Sequence, residues 1–328
     1  MPLFMSASRL VFSRLPAHRL LVGAGAAFAP LLIAIQGGLQ GLWGALALSL
    51  AFGIAGVFYG DLGGSGRSRG AEWRAAVYAL LCALSVGVFY GATGQVIRTL
   101  GRPRQDALLQ GWDRALLGGF FPDGQVSLFL DRQEFFGPGS FVGKALTELF
   151  QVSYFSYYLW GFGLLGILFV RFLKRRKRAA LPVDGRALDA EKLSTENDLL
   201  DFLCAWAGTY WVNFLCYIAI PVIGPKYDYP QKFVNPVDGF GFARVIQDFI
   251  VSQQAVSEDC FPSGHTALSW VTALAALRFA PTYARVVVPL AGVITLATLY
   301  LRYHYVADVL AALGLIGMAT LWGRLHRR

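Results

Sequence analysis

The chain has 328 residues, of which 55% are hydrophobic, 14% aromatic and only 15% charged, with a mean hydropathy of +0.50. Ordinary soluble domains carry about 25% charged residues, so this composition excludes a water-soluble globular protein and makes lipid the solvent for most of the chain. The formal charge of +9 does not point to nucleic acid, because the basic residues lie dispersed at the ends of apolar runs and form no stripe on a polar face.

Taken in chain order, apolar stretches approaching the ~20 residues needed to cross a bilayer run over 20–35, 39–59, 75–97, 146–173, 199–223, 265–279, 286–301 and 306–322. This predicts an all-α fold: a polytopic membrane helix bundle of about eight transmembrane helices, forming one integral membrane domain over 1–328. The first run follows Arg9, Arg14 and Arg19 and is read as an uncleaved span, so residues 1–60 form an N-terminal helical hairpin. Residues 98–144, rich in Gly and Pro, make an outer segment in which Val126–Phe136 suits a short helix lying in the membrane interface. Residues 171–198 open on Arg171-Phe-Leu-Lys-Arg-Arg-Lys-Arg178 and read as a basic cytoplasmic loop.

Alternating the spans places 19 of the 29 Lys and Arg and 8 of the 20 Asp and Glu on the side of the termini, a formal +11 against −2 opposite. Positive charge retained inside therefore puts both termini in the cytoplasm of a plasma, inner or organelle membrane. Of the four cysteines, Cys82, Cys204 and Cys216 fall inside apolar runs and Cys260 does not, and their scatter implies neither a disulfide framework nor a zinc knuckle.

Chemistry concentrates at two places. Pro262-Ser263-Gly264-His265 stands where a polar loop meets an apolar helix, so free N–H groups and the positive end of the helix dipole face the outer interface as an anion site. His304 and Asp308 are four apart on one helix face, where a carboxylate on one ring nitrogen frees the other as base or nucleophile. From His265 the chain runs about one membrane thickness, turns near Arg285 and returns to Arg302, bringing both histidines to the same, non-cytoplasmic, face. These residues admit three readings: phosphoryl transfer, a two-histidine, one-carboxylate metal site, and headgroup binding or transport without turnover. Pro-Ser-Gly at a helix terminus suits an anion better than a cation.

Pro262-Ser263-Gly264-His265 and His304-x3-Asp308 resemble the type 2 phosphatidic acid phosphatase superfamily, which also carries Lys-x6-Arg-Pro and Ser-Arg-x5-His-x3-Asp elements. Here Ala297-Thr298 replace Ser-Arg, with Arg302 the nearest guanidinium, and Gly224-Pro225-Lys226-Tyr227 stands in for the first element without its Arg-Pro. The strings Gly224–Tyr227 and Tyr300–Val309, with Asp113, Gly118 and Pro122, look like the branch of inositol phosphorylceramide synthases and related lipid phosphotransferases. The resemblance implies a six-helix phosphatase-type core and a metal-independent enzyme without cofactor. In it His304 attacks phosphorus, Asp308 orients it and His265 protonates the leaving alcohol. Lys226, Ser263, Gly264 and Arg302 would bind the phosphate oxygens, with Asp113, Tyr154 and Tyr157 lining the cavity. The partners implied are the bilayer, a lipid phosphoester and an alcohol or lipid acceptor, with no nucleic acid. A lipid phosphate or isoprenoid pyrophosphate phosphatase is the alternative, since hydrolysis and transfer share one first half-reaction.

Overall fold

The computed structural model describes residues 86–87, 89–91, 93–94, 96–98, 100–179, 185–254 and 257–325. The expected hairpin of residues 1–60 and the larger part of the expected span 75–97 lie outside them. The elements are α1 (Asp106–Leu117), α2 (Val126–Asp131), α3 (Phe141–Ala179), α4 (Gly185–Ala219), α5 (Pro225–Asp228), α6 (Phe242–Gln253), α7 (Gly264–Phe279), α8 (Pro281–Tyr300) and α9 (Val306–Leu325). Among the described residues there is no strand, only an isolated bridge between Val222 and Asp259.

Five of the expected spans fall on described residues, and each lies on one of these helices. Three stretches are long and apolar enough to cross a membrane: Phe141–Lys174, Asp201–Ala219 and Pro281–Tyr300. Val306–Leu321 is apolar but shorter, and α7 has 16 residues. The described residues thus are all-helical with three candidate spans, and the expected count of about eight extends over residues that lie outside them.

Two local expectations change. The basic block Arg171–Arg178 continues α3 instead of opening a loop, and helix resumes at Gly185. Lys and Arg are good helix formers, and positive charge at a helix C-terminus opposes the macrodipole. The interfacial helix expected over Val126–Phe136 ends at Asp131, because that side chain turns inward to bind backbone N–H groups of another segment.

The chain divides into two compact units, one of residues 1–92, 168–208 and 321–328, the other of residues 93–167 and 209–320. In the first, Leu168, Phe172, Leu199, Phe202, Leu203 and Trp206 are buried. The second holds every candidate site residue. There α7 and α8 form a hairpin around Ala273, Val287 and Ala291, small enough for close approach, with Trp270 Nε1 donating to Thr295 Oγ1 at 3.1 Å. A second cluster joins Leu109 of α1 and Leu128 of α2 to Val222, Tyr229, Cys260, Phe261, Tyr305 and Ala307. It therefore packs the outer segment against the three loops that carry the polar motifs.

Candidate functional site

Main-chain hydrogen bonds tie the three motif segments together. Lys226 N–H donates to Arg302 O at 2.8 Å, Ser263 N–H to Asp308 O at 3.1 Å, and Cys260 N–H to Val222 O at 3.1 Å. Gly224 has φ +82°, and a Cβ there would strike the Tyr303 carbonyl, so only glycine lets the Lys226 segment lie this close. After α8 the chain turns sharply: the Thr298 carbonyl accepts both Tyr303 N–H at 3.0 Å and His304 N–H at 3.1 Å. Arg302 takes φ 67° in that turn, an uncommon conformation for a non-glycine residue.

His304 and Asp308 are both buried, with His304 Nδ1 at 3.4 Å from Asp308 Oδ2. The same oxygen accepts Tyr305 N–H at 2.7 Å, while Oδ1 has no partner among the described residues. With Nδ1 facing the carboxylate, Nε2 is left for chemistry. The His265 and His304 ring centroids are 6.4 Å apart.

His265 belongs to the first turn of α7, where N–H groups lack intrahelical acceptors. Tyr154 stacks on its ring at 3.8 Å and Tyr157 leans on it at 4.1 Å. These two tyrosines, expected in the cavity wall, are thus buttresses that set the imidazole plane. Tyr154 also stacks on Tyr303 at 4.6 Å, and Lys226 Nζ lies 4.7 Å over the Tyr303 ring. The contacts His265, Tyr154, Tyr303, Lys226 thus link the cation to His265 through two intervening rings. Lys226 Nζ is buried without a hydrogen-bonding partner among the described residues. Burial and the neighbouring Arg302 lower its pKa to about 7.

The other residues expected at the phosphate are placed differently. Gly264 lies against α4, where an added Cβ would come within 2.6 Å of Asn213 Nδ2 and 2.8 Å of Tyr217 OH. Ser263 is the N-cap of α7: its Oγ accepts Thr266 N–H at 3.3 Å and bonds Thr266 Oγ1 at 3.0 Å. Arg302, expected as a phosphate cation, has Nη2 at 2.7 Å from Asp131 Oδ1 and 2.6 Å from Asn235 O, and its guanidinium lies 4.0 Å over Phe233. Its charge is already matched, and its carbonyl holds Lys226.

Asp113, also expected against the cavity, caps α9 instead, Oδ2 accepting Val306 N–H at 3.0 Å and Oδ1 Ala307 N–H at 2.8 Å. Burial lifts this carboxyl from 3.8 to about 6 against the pull of those two bonds. Asp113→Ala is expected to cost about 1–2 kcal/mol, the usual worth of a helix cap, read as a lower Tm in detergent. The folded protein takes up this proton through about pH 6 and the unfolded chain near 3.8. Asp113 therefore adds stability as the pH falls between those values, and the gap between wild type and Asp113→Ala widens.

Two features escaped the sequence reading. Cys260 is buried with Sγ at 2.9 Å from Asp308 Oδ2, 3.2 Å from Tyr303 O and 3.3 Å from His304 Nδ1. Burial and the Asp308 carboxylate push its pKa up, so it stays a thiol and donates. Its one sequence signal is that, unlike the other cysteines, it sits in a polar loop. The second is Asp106, whose Oδ1 accepts Gly224 N–H at 3.0 Å and Tyr305 OH at 3.2 Å. Tyr305 OH also reaches Asp228 Oδ2 at 2.8 Å, and Gln110 Nε2 donates to that same oxygen. Asp106, Asp113 and Asp131 all come from the outer segment: Asp106 holds the backbone of the Lys226 segment, Asp113 that of the His304 segment, and Asp131 that of Val234 and Asn235 while pairing with Arg302.

Residues 193–322 match the family model described as PAP2 superfamily. The chain is 32% identical over 205 residues to a PA-phosphatase related-family protein of Dictyostelium discoideum. That alignment covers 61% of this chain and 36% of the relative, so the chain spans about a third of that protein's length. No solved structure matches. Lys226, His265, His304 and Asp308 all lie within the matched stretch.

Proposed function

We propose that the chain is a membrane enzyme acting on a lipid phosphoester through a phosphohistidine on His304. The observation that carries this reading is the facing pair of imidazoles 6.4 Å apart, His304 backed by Asp308 and His265 at a helix N-terminus. His304 Nε2 attacks phosphorus, the bond from phosphorus to the leaving alkoxide breaks, and His265 gives that oxygen a proton. In the second half His265 takes the proton of the acceptor hydroxyl, the acceptor oxygen bonds phosphorus and the N–P bond breaks. Lys226 and the first-turn N–H groups of α7 neutralise the phosphoryl oxygens. Arg302 acts as a positioning residue, through the carbonyl that holds Lys226.

The likeness of Gly224–Tyr227 and Tyr300–Val309 to inositol phosphorylceramide synthases favours passing a phosphorylated headgroup to an alcohol over hydrolysis. The charge asymmetry of the spans supports an active site on the non-cytoplasmic face. The test is turnover of a lipid phosphoester panel by purified protein with chelator present, with and without inositol, ceramide and diacylglycerol as acceptors. Phosphate release independent of every acceptor would replace transfer by hydrolysis, and no turnover of any lipid would overturn the reading.

Lys226 supplies a pH signature. Below about 7 the empty site carries its positive charge, and above it the amine is neutral. kcat/KM is therefore expected to fall as the pH rises through about 7. Lys226→Arg, protonated throughout, flattens that alkaline limb, and Lys226→Ala loses about 10²–10³-fold at pH 6.5. A limb unchanged in Lys226→Arg would assign it to another group.

A further inference from the structure

We propose that Cys260, His304 and Asp308 form a zinc site whose occupation shuts off the reaction. The inhibition rests on the phosphohistidine reading above, whereas the binding does not.

The geometry comes first. At bond lengths of about 2.3 Å to sulfur and 2.0–2.1 Å to nitrogen or oxygen, ligand atoms around a tetrahedral zinc stand about 3.3–3.6 Å apart. Here Sγ to Nδ1 is 3.3 Å, Nδ1 to Oδ2 is 3.4 Å and Sγ to Oδ2 is 2.9 Å. The Nδ1–Oδ2 edge already fits, and the Sγ–Nδ1 edge is about 0.2–0.3 Å short of what a sulfur–nitrogen pair spans. The third is short because the thiol hydrogen bonds the carboxylate, and it opens by about half an ångström once that proton leaves. The three ligand atoms lie within 4.8 Å of one another, on buried residues. Asp308 Oδ1, fully buried and without a partner among the described residues, leaves the carboxylate free to turn toward an ion.

The donor set selects the metal. A thiolate and an imidazole favour zinc, whereas magnesium and calcium take oxygen. Cys260 releases its proton to solvent as the Zn–S bond forms, and nothing is oxidised or reduced. One dication then balances one thiolate and one carboxylate, so the buried site becomes neutral.

Occupation blocks chemistry for a defined reason. Zinc takes the Nδ1 lone pair, which places the ring proton on Nε2, the atom that must attack phosphorus. It also draws Asp308 away from orienting the ring.

The test uses the full chain in detergent, stripped with chelator, dialysed and titrated with Co²⁺ as a spectroscopic stand-in. A near-ultraviolet thiolate-to-cobalt band is expected at one equivalent, displaced by Zn²⁺. It should be absent in Cys260→Ala, which keeps Cys82, Cys204 and Cys216, and need at least about tenfold more metal in Asp308→Asn. Should Cys260→Ala fail to run as a monodisperse species, Cys260→Ser carries the same expectation, because a hydroxyl gives no such band. In turnover, Zn²⁺ slows the wild type, chelator restores it, and zinc sensitivity relative to each protein's own zinc-free rate falls at least about tenfold in the cysteine variant. No band in the wild type, or a band retained without Cys260, overturns the site. Binding through Cys260 with full turnover in zinc overturns the inhibition. A band without turnover of any lipid leaves the site standing and removes the phosphohistidine reading.

Discussion

His304→Ala is expected to abolish turnover, with a loss on the order of 10⁴-fold or more, the scale seen when a nucleophile that acts as part of a unit is removed. The loss falls on kcat as well as kcat/KM, because the imidazole forms a bond made only during reaction. The measurement that isolates the role is rapid quenching with a labelled lipid phosphoester, which should trap an acid-labile, base-stable label in the wild type and none in His304→Ala. His265→Ala separates the two histidines: label still accumulates with a substrate whose leaving group needs no proton, such as a nitrophenyl ester, while lipid turnover is lost. Undiminished lipid turnover in His304→Ala would sink the mechanism.

The largest effect on stability is expected from Asp131→Ala. The Asp131–Arg302 pair is almost wholly excluded from water, and Asp131 also accepts Val234 N–H at 2.7 Å and Asn235 N–H at 3.1 Å. Removing the carboxylate leaves a buried guanidinium unmatched and two N–H groups without their acceptor, a cost of about 3–5 kcal/mol for the charge alone. Arg302→Met in the wild type is milder, since Asp131 keeps its two backbone donors. Combining Asp131→Ala with Arg302→Met should recover much of the loss, because two apolar groups bury more easily than one charge. Thermal unfolding of the four proteins in one detergent closes this cycle. A double variant no more stable than Asp131→Ala would show that the backbone bonds, not the charge, dominate.

What the sequence revealed and what it concealed divide along physical lines. The meeting of His265, His304 and Asp308 was legible because helix length and a spacing of four are local properties that bring side chains to one level and one face. Lys226 stood out only through the likeness of Gly224–Tyr227 to lipid phosphotransferases. Arg302 was misjudged because its partner stands 171 residues away, and a guanidinium near a histidine looks the same in sequence whether or not a carboxylate claims it. Asp113 was misjudged likewise: a polar residue in an outer segment reads as cavity or cap alike until α9 is seen to start above it. Ser263 was half legible, since a serine just before an apolar helix is the ordinary N-cap. The basic block misled because charge marks where lipid ends and says little about where a helix does.

The bonds that stitch the three motif segments run from Lys226, Cys260 and Ser263 N–H to the carbonyls of Arg302, Val222 and Asp308. Every residue type but proline owns such a donor, so the stitching itself does not depend on which side chains stand at those positions. Thr298 shows the effect, for it holds His304 through a carbonyl that any residue would provide. The reacting groups can therefore stay in register whatever side chain stands at such a position. Proline, which lacks the donor, is the residue that would undo the stitching at positions 226, 260 and 263, independently of what their side chains do.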